Sequence, residues 1–152
     1  MDQALDPVAL ITGMPDPESV RTLESLMLTL PQRQLDVSHV IHGGMCARSM
    51  LIPAGTVLTG ALTNCDNICV LFGDITVTTD DGPQRLIGFH VLAAKAGAKR
   101  AGITHADTWW TTLHCTELTD IAAIEDEMTN ESAMLLTRRE GIEYEQTPMI
   151  EG

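Results

Sequence analysis

The stretch from Leu51 to Val77, LIPAGTVLTGALTNCDNICVLFGDITV, decides the fold class of this chain. Its apolar residues come in short runs rich in Val, Ile, Leu and Thr, separated by turn residues such as Pro53-Ala54-Gly55 and Gly73. Short strand-like runs with frequent turns predict an antiparallel sandwich or barrel. The stretch holds no histidine, and that absence bears on what such a barrel could bind.

The same rhythm continues on both sides of this stretch. The sequence DDG within TTDDGPQRL (78–86) predicts a hairpin, because Asp-Gly at 81–82 takes a turn that matches the twist of paired strands. No helical period interrupts the run of strands, which argues against a parallel sheet. We predict strands at 36–42, 46–52, 56–63, 67–72, 74–79, 84–87, 89–94, 99–105 and 108–115.

A helix is predicted on the N-terminal side of the strands. Asp16 fits the N-cap, Pro17 the first helical position, and Pro31 the end. Apolar residues such as Val20 and Leu23 follow at helical spacing, so one face of this helix should pack on the barrel.

A second, acidic helix is predicted in TDIAAIEDEMTN, capped by Thr119 and with an apolar stripe of Ile121, Ile124 and Met128. The expected organisation is all-β with flanking helices. Its three parts are an N-terminal arm and helix (1–34), a barrel (35–117) and a C-terminal helix with a tail (118–152).

Composition limits the classes of partner. The 152 residues suit one domain, and the formal net charge is −12. Nucleic acid and anionic membrane surfaces both attract cationic proteins, so we expect neither as a partner. The acidic N-terminus, MDQALD, lacks the basic start of a signal peptide, so we do not expect secretion by that route.

Residues 40–117 resemble the cupin superfamily, on the basis of the PAG lead-in, the VLFGDITV passage, the DDG hairpin, Gly88 and the KAGAKR turn. The resemblance implies a cupin-like double-sheet (jelly-roll) β-barrel. More narrowly, GAKRAGITHADTWWTTLHCTELTDIAAIED (97–126) is similar to short cupin-like proteins encoded by tailed bacteriophages. In those proteins an H-x-D-T-x-W-T-T-x-H ending precedes an acidic helix.

The resemblance also implies where a metal would lie. Metal-holding cupins use histidines and a glutamate at positions that fall here on Thr63, Cys65, Asp66 and Asn67, with a last histidine near Arg100. An arginine cannot ligate a metal, and hydroxyl and amide groups are weak ligands for zinc or iron. The metal site is therefore expected to be lost, with no metal and no cofactor.

The same positions offer a ligand site of another kind. Arg48 and Arg100, with Thr63, Cys65, Asp66 and Asn67, are candidate ligand-binding residues for an anionic or sugar-type molecule in the barrel. The alternative is that the two arginines form internal ion pairs with Asp66 or Asp74.

The four cysteines are expected to be free buried thiols, since the chain carries no sign of export. A thiolate zinc site is the alternative, with Cys65 and Cys69 completed by Cys46 or Cys115.

A catalytic alternative rests on three residues. His105 and Asp107 could form a general-base pair, and Cys65 could serve as a nucleophile. In the opposing interpretation Asp107 only caps backbone amides in the turn THADT.

Trp109 and Trp110 are adjacent in a predicted strand, so one ring should face the core and the other an interface. The first hypothesis is a non-catalytic, phage-encoded protein, virion-associated or an assembly accessory. It would act as a homo-oligomer, or on other phage proteins, in the host cytoplasm or the virion. The second is a small-molecule binder or enzyme that uses the barrel interior.

Overall fold

A computed structural model describes residues 17–27, 29, 35–79 and 81–135 of the chain. The predicted N-terminal arm, the cap at Asp16 and the C-terminal tail from 136 onward lie outside the described residues. The elements are α1 (Pro17–Met27), β1 (Asp36–His42), β2 (Met45–Ile52), β3 (Val57–Thr59), β4 (Asn67–Thr79), β5 (Gly82–Ala94), β6 (Ala101–Thr104), β7 (Thr108–Cys115), α2 (Ile121–Met128) and a short 3-10 turn (Ser132–Met134).

All seven strands of the described residues join one antiparallel sheet in the order β1-β2-β7-β4-β6-β3, with β5 on β4. The long strand β4 organises it. β5 pairs with β4 along its whole length, while β7 pairs with Ile68–Phe72 and β6 with Ile75–Val77. Two groups of strands therefore diverge from one strand, and the sheet curls into a half-barrel. The predicted fold class, all-β with flanking helices and a sheet curled as in a barrel, is confirmed.

The prediction split β4 and β5 at glycines, and this was wrong. Gly73 and Gly88 lie opposite each other in an unbroken ladder, so 67–72 joins 74–79 and 84–87 joins 89–94. A Cβ at Gly73 would lie 2.7 Å from Thr108 Cα and 2.8 Å from the Asp107 carbonyl oxygen. This glycine allows the β6–β7 turn to approach β4 closely, and it does not end the strand.

Two hairpins show how turn chemistry sets the register. Gly43 and Gly44, both with positive φ, form the two-residue turn between His42 and Met45. The predicted β4–β5 hairpin is also present, but Gly82 is its first paired strand residue, opposite Thr79. The Asp-Gly pair is therefore not the loop itself.

The helices pack as their apolar spacing predicts. Val20 and Leu23 of α1 are buried with Ala101 in one cluster, beside Met27 and Ile103. The N-cap of α2 is Asp120, whose side chain accepts a hydrogen bond from the Ala123 amide at 3.0 Å, and not Thr119 as predicted.

The barrel core comes from alternate residues of β4. Leu71, Ile75 and Val77 are buried with Leu86. Trp110, Leu58 and Leu92 pack against this cluster. Among the described residues, no helix is long and apolar enough to cross a membrane.

Candidate functional site

A cavity of about 460 Å³ lies inside the curled sheet and reaches both helices. Volumes of this order accommodate small organic ligands. Its walls are largely apolar, and the side chains that form them include Met50, Leu58, Ile75, Val77, Trp110 and Ile124.

One end of the cavity is polar because of the strand register. His39 of β1 lies opposite Arg48 of β2, and Arg48 lies opposite Thr112 of β7. Directly paired residues of an antiparallel sheet share a face, so these side chains form a row across three strands. The neighbouring inward row pairs Cys46 with His114. We call His39, Arg48 and His114 the polar end of the cavity.

Several polar atoms of the cavity lining are buried without a hydrogen-bond partner among the described residues. They are Nε2 of His39, both ring nitrogens of His114 and the hydroxyl oxygen of Thr63. His114 is only 5% exposed. Buried polar groups in folded proteins nearly always have partners, so a histidine with both ring nitrogens unsatisfied indicates a place for a ligand.

Burial also sets the protonation of these histidines. It lowers the pKa of His39, an effect that the nearby Arg48 charge strengthens and that Glu125 opposes. Burial likewise lowers the pKa of His114, against an opposing contribution from Glu127. Both rings are therefore neutral at pH 7, and each presents one N–H donor and one acceptor nitrogen.

The second arginine lines another side of the same cavity. Arg100 donates a hydrogen bond from Nη1 to the Thr78 carbonyl at 3.3 Å. Burial raises the pKa of the Cys69 thiol, and this effect outweighs the nearby charge of Arg100, which lowers the pKa. Cys69 lies opposite Thr112, which in turn lies opposite Arg48. The structure thus brings both predicted arginines to one cavity.

An ion cluster also lines the cavity. The ammonium of Lys99 lies 3.1 Å from a carboxylate oxygen of Glu24 on α1 and 3.1 Å from one of Glu131. It also donates to the Gly60 carbonyl at 2.9 Å. This cluster joins α1, the strand loops and the segment that follows α2.

The remaining predicted ligand-binding residues divide into two groups. Thr63 and Asn67 line the cavity, and Asn67 donates from Nδ2 to the Cys65 carbonyl. Cys65 and Asp66 do not line it, and the Asp66 carboxylate instead accepts a hydrogen bond from the Ala96 amide at 2.8 Å.

The two acids of the ion-pair alternative, Asp66 and Asp74, have contacts elsewhere. Asp74 forms a bidentate pair with Arg85, with Nη2 2.8 Å from Oδ2, and this pairing holds the pKa of Asp74 below its ordinary value. Both residues of that pair belong to the β4–β5 hairpin, outside the cavity.

His105 and Asp107 are exposed and have separate partners. Nε2 of His105 lies 2.7 Å from the Thr76 hydroxyl. The Asp107 carboxylate accepts a hydrogen bond from the Ala54 amide at 2.9 Å. Asp107 therefore caps a backbone amide, as its non-catalytic interpretation expects, although the amide belongs to a different turn.

The four thiols are all free, as predicted, but only Cys46 and Cys69 are buried, whereas Cys65 is half-buried and Cys115 is exposed. Cys46 and Cys69 line the cavity, while Cys65 and Cys115 lie outside it. Burial is the largest influence on Cys46 and Cys65 and raises the pKa of both thiols. Thiols held protonated by burial are poor nucleophiles and poor ligands.

The metal that the cupin resemblance implies does not fit the residues present. Of the five matched positions, only Thr63, Asn67 and Arg100 line the cavity, and they offer a hydroxyl, an amide and a cation. Within the described part of the chain, no group of three or more His, Cys, Asp or Glu side chains is arranged to hold a metal ion.

The two tryptophans face opposite ways, as alternation predicts. Trp110 lines the cavity and packs against the core, whereas Trp109 is 40% exposed on the outer face. Beside Trp109 lie Phe72 and, across β4, Phe89, which are 59% and 66% exposed. We call Phe72, Phe89 and Trp109 the outer aromatic row.

Comparison with known proteins finds similar folds among solved structures. No protein-family model matches the chain, and no curated protein matches it. The chain is similar in fold to cupin superfamily proteins. This cupin-like barrel resembles KdgF from Halomonas sp. at 16% identity and a TM-score of 0.48, over 57% of this chain and 84% of that one.

Two further solved structures are similar to a comparable degree. A cupin superfamily protein from Desulfitobacterium hafniense is 15% identical with a TM-score of 0.46, over 60% of this chain and 88% of that one. A protein described as putative ethanolamine utilization protein Q from Salmonella typhimurium is 15% identical with a TM-score of 0.46, over 57% and 72%. At these identities the likeness concerns the fold and extends to no activity.

Sequence reasoning missed His39 and His114. They stand on the first and last strands, and only the register places both beside Arg48. Strand alternation offered one signal, because His114 has the same parity as Trp110 and Thr112 and therefore points inward with them.

Proposed function

We propose that this chain is a small-molecule-binding protein that holds its ligand inside the cupin-like barrel. One observation carries the proposal: buried ring nitrogens of His39 and His114 without partners line a cavity of about 460 Å³. Desolvated polar atoms without partners destabilise the unliganded protein, typically by about 1–3 kcal/mol each. A ligand that supplies hydrogen bonds there recovers this free energy on binding.

The charges of the cavity favour the same conclusion. Arg48 and Arg100 both line it, and permanent cations in a largely apolar enclosure suit a polar or anionic group of a ligand. The apolar walls suit the rest of such a molecule. This is the second of the two functions that the sequence predicts, and the cavity geometry supports it better than the first.

The two tryptophans provide a direct test. A ligand bound in the cavity should shift the indole N–H resonance of Trp110 saturably and leave that of Trp109 unchanged. A fragment library of neutral and anionic compounds, screened by two-dimensional NMR on labelled protein, makes this measurement. Trp109→Phe and Trp110→Phe variants assign the two resonances.

Two arginines, one in the cavity and one outside it, provide matched variants. Arg100→Ala should weaken binding of any hit, whereas Arg85→Ala, on the exposed hairpin, should not. Native mass spectrometry of the untagged protein would report a co-purified ligand at one per subunit. The proposal fails if no compound binds saturably, or if hits perturb Trp109 alone.

As a second candidate function we propose protein–protein contact through the outer aromatic row. Exposed aromatic side chains clustered on one sheet face are typical of interaction surfaces. Among the described strands β5 pairs with β4 alone, so its other edge is available to a second copy of the chain. The two functions are compatible, because the row and the cavity lie on opposite faces of the sheet.

The bacteriophage setting, with a virion-associated or assembly role and a place in the host cytoplasm or the virion, remains part of this second proposal. It rests on the resemblance of residues 97–126 to cupin-like proteins of tailed phages. Mass spectrometry of purified virions of the encoding phage would test it, since a virion component would be found there in fixed stoichiometry.

A further inference from the structure

We propose that the polar end of the cavity binds the carboxylate of a small organic acid, and that the apolar walls hold the body of the acid. The inference rests on the proposed function and goes beyond it by naming the chemical class of the ligand. Its starting point is the arrangement of His39, Arg48 and His114 on adjacent inward rows of β1, β2 and β7.

Register places Arg48 between the two histidines. His39 lies directly opposite Arg48, and His114 is diagonal to it, two residues beyond its partner Thr112. Diagonal neighbours in an antiparallel pair are about 7–8 Å apart, within reach of an arginine side chain. A planar guanidinium flanked by two N–H donors matches the two oxygens of a carboxylate.

The unsatisfied atoms agree with an anionic acceptor. The ring N–H of His114 is a donor that lacks a partner among the described residues, and the guanidinium of Arg48, on the neighbouring inward row, supplies further N–H donors. A carboxylate accepts from several donors at once, whereas an alcohol or an ether accepts from fewer and more weakly. An acid therefore satisfies more of this end than a neutral ligand of the same shape.

Charge favours an anionic ligand group over a neutral one. Apart from the Lys99 cluster, two guanidiniums, those of Arg48 and Arg100, line the cavity together with the buried carboxylate of Glu125. Lys99 already contacts the carboxylates of Glu24 and Glu131, so we expect the ligand carboxylate at the two arginines and not at Lys99.

The apolar walls of the cavity limit the chemistry of the rest of the acid. Leu58, Ile75 and Trp110 lie along the body of the cavity. Hydroxyl groups placed against such side chains would lose hydrogen bonds to water without replacement, so a sugar acid fits poorly. An aliphatic or aromatic monocarboxylic acid fits both the polar end and the walls.

The test compares acids with alcohols of the same body. Butyrate, octanoate and 4-phenylbutyrate are titrated beside butanol, octanol and 4-phenylbutanol, with calorimetry for affinity and the Trp110 resonance for location. The best acid should bind at least about tenfold more tightly than its alcohol. Arg48→Met and His114→Gln should each remove most of that advantage.

Matched controls come from the same residue types outside the cavity. Arg85→Met and His42→Gln are on exposed surface and should leave the acid's advantage intact. Circular dichroism checks that each variant is folded. If Arg48→Met does not fold, Arg100→Met and His114→Gln carry the comparison.

The outcomes separate this inference from the proposed function. Equal affinity for acid and alcohol, or an acid advantage that survives Arg48→Met and His114→Gln, overturns the inference. If neutral fragments shift the indole N–H resonance of Trp110 and no acid in the series does so, the inference is overturned while the proposed function stands. If nothing binds in the cavity, both are overturned.

Discussion

Lys99 and Glu131 form an ion pair in which Nζ lies 3.1 Å from Oε1, although the Lys99 side chain is only 1% exposed. The same ammonium also reaches Glu24 on α1. Removing one partner of a buried ion pair leaves an uncompensated charge, which costs about 3–5 kcal/mol. The cluster therefore holds α1 and the segment after α2 against the barrel.

Lys99→Met should lower the free energy of unfolding by about 3–5 kcal/mol, because Glu24 and Glu131 would lose their shared cation. Urea denaturation followed by circular dichroism measures the change. Lys95→Met is the matched control, since Lys95 is exposed on the preceding loop and should change stability little. A Lys99→Met protein within 1 kcal/mol of wild type (about the effect of an exposed ion pair) would contradict the structural role of the cluster.

Stability should fall as the pH drops below the ordinary histidine pKa of 6.5. Burial lowers the pKa of His39, with Arg48 assisting and Glu125 opposing, and that of His114, with Glu127 opposing. The unfolded chain therefore binds protons at a higher pH than the folded chain. The stabilisation is complete above pH 6.5 and is lost as the pH falls through the folded-state pKa values.

The melting temperature between pH 7.5 and pH 5 measures this effect (about the range over which histidines titrate). His114→Gln should flatten the pH dependence, whereas His42→Gln, on the exposed end of β1, should retain it. A pH-independent melting temperature across the histidine range would contradict the burial of the rings.

A separate loss of stability should appear as the pH falls below 4.5, the ordinary pKa of a glutamate such as Glu131. Burial alone would raise the pKa of Glu131, but hydrogen bonds from the Leu62 amide and Lys99 outweigh this effect and lower the pKa.

Gly73→Ala should destabilise the fold by about 3 kcal/mol or more, because its Cβ would overlap backbone atoms of Asp107 and Thr108. Gly88→Ala is a control at the paired position of β5. It has a positive φ of 86° but no atom within 4 Å of the added Cβ, so only backbone strain of about 1–2 kcal/mol is expected. Thermal unfolding compares the two variants. Equal losses would mean that the close approach of the β6–β7 turn does not matter.

Phe89→Glu should weaken self-association if a second copy covers the outer aromatic row, since the charge would be buried at that contact. Light scattering coupled to size-exclusion chromatography reports the mass of the wild type and the variant over a range of concentrations. Ile121→Glu provides an exposed apolar position on α2 as the control. A wild type that stays monomeric at every concentration would contradict the homo-oligomer proposal.

Local patterns in the sequence were sufficient for the class of fold and the approximate location of most strands, although the predicted strand 56–63 is present only at Val57–Thr59. Turn residues such as Gly43 and Gly44 mark chain reversals by their own conformational preferences, and alternation alone separates Trp110 from Trp109. Local patterns did not predict where strands continue through a glycine. A glycine such as Gly73 is typical of a strand end, and only the approach of Thr108 from another part of the chain explains why a glycine is needed within this strand.

The candidate site shows the same division. The sequence correctly predicted that Arg48, Arg100, Thr63 and Asn67 line the cavity. Strand alternation and the positions of family motifs can both be read from the linear sequence, and these two signals led to the four residues. Tertiary structure alone decided that Asp74 pairs with Arg85, since that contact joins two strands across a hairpin.

The polar end of the cavity could not be predicted from the sequence. His39 and His114 stand on β1 and β7, and they become neighbours of Arg48 only because β2 lies between those strands. Periodicity fixes which face of its own strand a residue occupies, because that depends on backbone geometry alone. Which strands lie side by side depends on the free energy of burying their apolar faces together, and that is a property of the folded chain.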